Sequence, residues 1–179
     1  MPQRFLRFLF TLALIALPLA VGSIQADAPQ TPSGKDTVLN AADISPKLFP
    51  EQVFYRGRVA PVQMRNTGGV HFADDLYVLA GLVDVSGYSS GVREKYQGYL
   101  LTEVPLDVDG HALQPGAYGI GFLQGAKFVV TDLGSKTVLE VSGNRDAQLK
   151  MPMPLQVQAA KDAYRLYIGR DYVTLKRTR

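Results

Sequence analysis

Residues 117–132 read AYGIGFLQGAKFVVTD, and this stretch decides the fold class. In residues 117–123 large side chains alternate with alanine or glycine, a two-residue period that is typical of a strand. Gln124-Gly125 predicts a turn, and residues 127–132 predict a second strand, so the stretch indicates a β-hairpin. The glycines on one face of the first strand predict a bulge, a barrel corner or the close approach of another backbone or a ligand.

The same pattern of strands and tight turns continues on both sides of this hairpin. Residues 76–85 (LYVLAGLVDV) are apolar at almost every position, which predicts a central strand covered on both faces. Asp109-Gly110 is a pair favoured in two-residue hairpin turns. We therefore predict an all-β domain, a single antiparallel sandwich or barrel of roughly eight to ten short strands. The sequence does not separate sandwich from barrel.

Two further features concern the start of this domain. Residues 53–62 alternate in polarity and predict one strand, with Arg56 and Arg58 on the same face. Pro61 lacks the N–H group that a ladder needs, which favours an edge strand or a strand end. Residues 66–69 (NTGG) form a cluster of turn residues, so we expect the chain to reverse there.

The N-terminus has the layout of a secretory signal peptide. Arg4 and Arg7 precede an uncharged apolar run, residues 8–21, that is too short to cross a bilayer comfortably. Small residues follow, and Ala26 fits the position before a signal-peptidase cut. We predict a signal peptide at residues 1–26, a flexible lead segment at residues 27–50 and a β-rich domain at residues 51–179. An uncleaved signal anchor is the alternative.

Composition limits the classes of function. The chain has 19 basic and 16 acidic residues, and removal of the two arginines in residues 1–26 leaves 17 against 16. This balance argues against nucleic-acid binding. The absence of cysteine excludes lipoprotein processing, zinc ribbons and thiol catalysis. A periplasmic or secreted location is expected, with no membrane span after signal removal and no cofactor.

Residues 87–91 (GYSSG) match the G-x-S-x-G pattern of hydrolase nucleophile elbows. Such an elbow needs a strand before the serine and a helix after it, and the helical signal after Ser89 is short. His111 or His71 would have to act as the base. A serine hydrolase using Ser89 is therefore an alternative prediction, and a Gly/Ser-rich loop between strands is the simpler interpretation.

A metal site is a second, weaker idea. His71, Asp74 and Asp75 supply three potential ligands around one corner of the chain. Adjacent carboxylates on a turn are more often solvated corner residues, so we predict no metal.

The arginines provide the best indication of a binding site. Arg56 and Arg58 are close in sequence, and Arg93 follows the loop that contains Tyr88. Guanidinium groups recognise carboxylate, phosphate or sulfate groups through paired hydrogen bonds. We predict a ligand-binding site formed by Arg56, Arg58, Tyr88 and Arg93. A solvated edge strand whose charges discourage aggregation is the alternative.

Residues 105–119 (PLDVDGHALQPGAYG) resemble a segment of uncharacterised secreted bacterial β-domain proteins. The resemblance implies export and a β architecture, and it implies no catalytic residue. The expectation is thus an exported, non-enzymatic β-domain that binds a small molecule, an envelope component or a protein partner. A structural or assembly domain that pairs through a strand edge is a further alternative.

Overall fold

The computed structural model describes residues 34–44 and 46–178. The predicted signal peptide and the cut after Ala26 lie outside the described residues. Fourteen strands and one short helix form the described part: β1 (Thr37–Leu39), β2 (Gln52–Tyr55), β3 (Arg58–His71), β4 (Tyr77–Val83), α1 (Ser90–Lys95), β5 (Gly98–Thr102), β6 (Leu106–Val108), β7 (His111–Leu113), β8 (Gly116–Leu123), β9 (Lys127–Thr131), β10 (Thr137–Ser142), β11 (Asn144–Arg145), β12 (Leu155–Ala160), β13 (Ala163–Ile168) and β14 (Asp171–Arg177).

The strands form two antiparallel sheets. The larger sheet has the order β1-β3-β4-β5-β8-β9-β10, and β2 also pairs with β3. The smaller sheet has the order β12-β13-β14-β6-β7, and β11 also pairs with β14. Neither sheet closes into a barrel, so the all-β class is confirmed and the architecture is that of a sandwich. The strands outnumber the expected eight to ten because several have only two to four residues.

The larger sheet buries both of its faces. Its inner face packs against the smaller sheet, and Val78 and Ala80 of β4 belong to this core together with Leu166 of β13. Leu79 and Val83, the residues of opposite orientation on β4, belong to a second core that includes Val92 of α1. The prediction of a central strand at residues 76–85 that is covered on both faces is therefore confirmed.

The folded unit begins earlier than the composition indicated. β1 pairs with β3, with Val38 opposite Val70, and the segment between β1 and β2 buries Ile44 and Phe49 in the second core. Residues 37–44 and 46–50 thus belong to the sandwich rather than to a flexible lead. Ile44 and Phe49 are isolated apolar residues in a polar segment, so they produce no periodic pattern. The sequence therefore predicts the start of the β-rich domain too late, at residue 51.

The prediction of a turn at residues 66–69 is wrong, because these residues lie inside β3. Gly68 allows β12 to approach closely, since a Cβ atom there would lie 3.2 Å from the backbone nitrogen of Val157. The pairing of β3 with β4 shifts register between Val62 and Thr67, so the strand carries an irregularity at this point. The glycines permit close packing here and do not reverse the chain.

Candidate functional site

The predicted strand at residues 53–62 is instead a hairpin, β2–β3. Tyr55 pairs with Arg58, and the two residues between them, Arg56 and Gly57, have φ angles of 48° and 76°. Positive φ at both central positions is the geometry of a type I′ turn. Arg56 therefore lies in the turn itself and Arg58 begins β3, so the two arginines do not share one strand face. Arg-Gly is a weaker turn signal than Asn-Gly or Asp-Gly, so the reversal was missed.

The hairpin tip forms one wall of a surface cleft. The cleft consists of two neighbouring pockets of about 330 and 360 Å³, whose linings share Arg58, Gly87 and Tyr88. Arg56 and Ser89 line the first part, and Val59, Pro61 and Asp84 are among the residues that line the second.

The cleft brings three of the four predicted ligand-binding residues together. Arg56, Arg58 and Tyr88 all line its first part. Arg93 does not belong to this lining, since it lies exposed in the last turn of α1. Three of the four residues thus share one pocket, the local structure predicted for Arg56 is wrong, and the role of these residues in ligand binding stays a prediction.

Hydrogen bonds tie the two walls of the cleft to each other. The hydroxyl of Tyr88 donates to the backbone oxygen of Tyr55 at 3.0 Å, and Nη1 of Arg58 donates to the backbone oxygen of Gly87. Burial raises the pKa of Tyr88, and the neighbouring Arg58 guanidinium opposes that rise. Tyr88 stays a neutral donor at physiological pH. The hairpin and the loop before α1 are thus held together as one surface.

The cleft carries positive charge that no carboxylate compensates directly. Within residues 34–44 and 46–178, neither Arg56 nor Arg58 forms an ion pair. Asp84 lines the second part of the cleft, and a hydrogen bond from the backbone N–H of Ser86 lowers its pKa, so it remains ionised. Guanidinium groups without an ion-pair partner are suited to recognition of a carboxylate or phosphate group.

A packed layer of tyrosines lies beneath the cleft. The ring of Tyr96 stacks on Tyr55 with centroids 3.7 Å apart, and Tyr88 meets both rings edge-on. This packing needs Gly119 of β8, since a Cβ atom there would lie 2.6 Å from the Tyr55 ring. The glycine face of residues 117–123 therefore marks a close approach, which is one of the possibilities that the sequence indicated.

Ser89 has no histidine beside it. Ser89 precedes α1, is exposed and lines the cleft next to Arg58, the first residue of β3. His71 is the last residue of β3, at the opposite end of this 14-residue strand from Arg58. His111 lies on β7 in the other sheet, where its Nδ1 is 3.3 Å from the backbone oxygen of Asp109. Neither histidine is placed to act as a base for Ser89.

The three metal candidates do not converge on one point. Nε2 of His71 lies 2.7 Å from Asp75, and Tyr77 stacks on the His71 ring. Asp74 instead binds Arg177 with both carboxylate oxygens, at 2.7 and 2.6 Å. The described residues contain no group of three or more histidine or acidic residues that is arranged to hold a metal ion.

Two exposed apolar residues of the hairpin were missed at the sequence level. Phe54 and Val59 are directly opposite each other in the β2–β3 pairing, and 54% and 60% of their surfaces are exposed. A single strand would have placed them on opposite faces. The Arg56-Gly57 turn was the only signal that would have brought them together.

No family model, curated protein or solved structure matches this chain. The resemblance of residues 105–119 to secreted β-domain proteins therefore stays a prediction. Among the described residues there is no helix long and apolar enough to span a membrane.

Proposed function

We propose that this chain is an exported, non-enzymatic β-sandwich domain that binds an anionic group in the cleft formed by Arg56, Arg58, Tyr88 and Ser89. The observation that carries the proposal is the pair of arginines at the hairpin tip, which line one cleft and form no ion pair among the described residues. The sequence supports export through the basic start and the short apolar run of residues 1–26.

The chemistry of the cleft favours a carboxylate or phosphate group as the ligand. Both arginines present several N–H donors, and the hydroxyl of Ser89 adds a further donor at the same surface. The cleft is open to solvent, so electrostatic attraction there is screened by salt. A ligand should therefore bind more weakly as ionic strength rises.

Titration calorimetry with inorganic phosphate and with citrate tests this proposal. Replacement of Arg56 or Arg58 by alanine should weaken binding by about tenfold, since a hydrogen bond to a charged group contributes about 1.5–3 kcal/mol. Arg93→Ala is the matched control, because Arg93 is exposed on α1 outside the cleft lining. Equal affinity in all three variants, or no binding by the intact protein, would reject the anion site.

Nothing in the described structure favours the hydrolase alternative, because Ser89 lacks a neighbouring histidine. A fluorophosphonate probe tests directly for a nucleophilic serine. If the probe labels the folded protein and the labelling disappears in Ser89→Ala, the hydrolase alternative is supported.

The proposal of export has a separate test. Protein recovered from the host envelope should have the mass of residues 27–179.

A further inference from the structure

The second pocket of the cleft is lined by two side chains of opposite charge. Arg58 at the start of β3 and Asp84 in the loop after β4 both line this pocket of about 360 Å³. Within residues 34–44 and 46–178 they form no ion pair with each other or with any other side chain. Opposite charges that share a pocket without pairing remain available to the charged groups of a bound molecule.

Backbone groups of one loop hold both side chains. Nη1 of Arg58 donates to the backbone oxygen of Gly87, and Oδ1 of Asp84 accepts the backbone N–H of Ser86 at 2.9 Å. A guanidinium group has several further N–H donors, and an ionised carboxylate has several further acceptor sites. These hydrogen bonds therefore position the two charged groups and leave them able to bind a ligand.

The loop is itself fixed against the hairpin. The backbone N–H of Asp84 donates to the backbone oxygen of Pro61 at 2.9 Å, and the N–H of Tyr88 closes a turn on Val85 at 3.0 Å. The separation between Asp84 and Arg58 is therefore set by the fold before a ligand arrives. A site organised in this way loses less entropy on binding and selects a ligand whose own charges have a matching separation.

We propose that the ligand of the cleft is a small zwitterion, whose ammonium group binds Asp84 and whose carboxylate or phosphate group binds Arg56 and Arg58. This inference rests on the proposed anion site and adds a second charge to its ligand. Val59 and Pro61 line the same pocket as Asp84, so they provide an apolar contact for a short carbon chain between the two charged groups.

The charges of the cleft favour a zwitterion over a ligand with charge of one sign. Asp84 repels a simple anion, and the two arginines repel a simple cation, whereas a zwitterion is attracted by both kinds of group. The hydrogen bond from the backbone of Ser86 lowers the pKa of Asp84, so the negative charge is present at neutral pH.

Titration calorimetry of the intact protein with two matched pairs of small molecules tests the inference. O-phosphoethanolamine is compared with ethyl phosphate, and β-alanine with propionate, because the members of each pair differ only in the amino group. Asp84→Asn removes the negative charge and keeps an oxygen that can accept the Ser86 N–H. Glu94→Gln is the matched control, because Glu94 is exposed on α1 outside the lining of both pockets.

We expect the amino group to strengthen binding by about tenfold in at least one pair, and the pair with the higher affinity identifies the acidic group as phosphate or carboxylate. Asp84→Asn should abolish this gain without weakening the binding of ethyl phosphate or propionate. Arg58→Ala should weaken the binding of all four molecules, and Glu94→Gln should leave every affinity unchanged.

The possible failures separate this inference from the anion site. If binding depends on Arg58 but the amino group adds nothing, or if its gain survives in Asp84→Asn, the zwitterion is overturned and the anion site stands. The same holds if none of the four molecules binds while phosphate or citrate does. If the amino compounds bind equally well to Arg58→Ala, or if no anion binds at all, the anion site is overturned together with the zwitterion.

Discussion

Tyr96 lies parallel to Tyr55 beneath the cleft, with ring centroids 3.7 Å apart and planes inclined by 13°. Both side chains are completely buried, yet their hydroxyl groups differ. The Tyr55 hydroxyl shares a hydrogen bond of 2.8 Å with Thr131, whereas that of Tyr96 has no partner among the described residues. Burial and the neighbouring tyrosines raise the pKa of Tyr96, so this hydroxyl stays neutral. The side chain of Tyr96 therefore contributes to the stack through packing alone, whereas Tyr55 is also held by a hydrogen bond.

Removal of the two hydroxyl groups should therefore have different effects. Tyr55→Phe loses the buried hydrogen bond to Thr131, whose hydroxyl keeps its bond of 3.3 Å to the backbone oxygen of Gly119, so we expect a loss of about 1 kcal/mol in unfolding free energy. Tyr96→Phe removes a buried group that has no partner, so we expect no loss and a gain of up to about 1 kcal/mol. Urea denaturation measures both. A larger loss for Tyr96→Phe than for Tyr55→Phe would show that Tyr96 has a partner, such as buried water.

Gly119→Ala should destabilise the domain because the stack leaves no room for a methyl group. The added Cβ would lie 2.6 Å from Tyr55, 2.7 Å from Thr131 and 2.9 Å from Tyr96. Such overpacking costs about 1–3 kcal/mol, which thermal and urea denaturation would detect.

Gly91→Ala is the matched control for that substitution. Gly91 lies within α1, and no atom would approach its Cβ within 4 Å. Alanine at a helical position should stabilise the domain by about 0.5–1 kcal/mol. If both variants lost stability equally, crowding at Gly119 would not be the cause.

The contrast between these glycines shows what the sequence can predict. The alternation in residues 117–123 predicted β8, because one strand and its period are local properties, and it left a close approach on the glycine face as one of three possibilities. It did not predict that Tyr55 and Tyr96 fill this face, because β2 and α1 reach it only through the tertiary fold. The same limit applies to residues 66–69, where glycines allow β12 to approach β3 and do not form a turn.

Prediction of the candidate site from the sequence was limited in the same way. Arg56, Arg58 and Tyr88 line one pocket, but a turn and not the expected shared strand face brings the arginines there, and ligand binding by the three residues stays a prediction. Arg93 was included for its position in sequence, but the helix directs it out of the cleft lining. Phe54 and Val59 were missed because their pairing depends on a turn, Arg56-Gly57, whose first residue rarely adopts positive φ.

The ion pair between Asp74 and Arg177 should contribute to acid sensitivity. The hydrogen bond to Arg177 lowers the pKa of Asp74 in the folded state. The stabilisation is therefore complete above the unfolded-state pKa and is lost as pH falls through the lower folded-state value. In Asp74→Asn we expect a melting temperature that falls less steeply between about pH 5 and pH 2 than in the intact protein. An unchanged slope would mean that the pair is formed equally in the unfolded chain.

Lys176→Ala provides a comparison at the neighbouring position of β14. Its partner Asp162 also has a lowered pKa, caused mainly by the Lys176 hydrogen bond of 2.8 Å. Lys176 does not contact Asp74, so this variant should retain the contribution of Asp74 to the acid transition. Both pairs are exposed, so each effect should shrink in high salt.

The last prediction concerns Asp36, the residue before β1, whose carboxylate forms hydrogen bonds to residues next to or within each of the two sheets. One carboxylate oxygen accepts the backbone N–H of Ala73 at 3.0 Å, and the other accepts the Tyr164 hydroxyl at 2.8 Å. Burial, with a further contribution from Asp36, raises the pKa of Tyr164 to about 12. The resulting stabilisation is present below the unfolded-state value of about 10 and is lost as pH rises through the folded-state value.

Asp36→Ala should therefore lower the pKa of Tyr164 while leaving it above the ordinary value, since burial remains. Absorbance titration against a Tyr164→Phe reference measures that shift. Hydrogen exchange should accelerate in β1 in the alanine variant and less so in Tyr164→Phe, which keeps the bond to Ala73. Equal hydrogen exchange in both variants would show that the contact between Asp36 and Tyr164 alone, and not the bond to Ala73, holds β1 in place. Unchanged exchange in both would show that β1 is held by its pairing with β3 and not by Asp36.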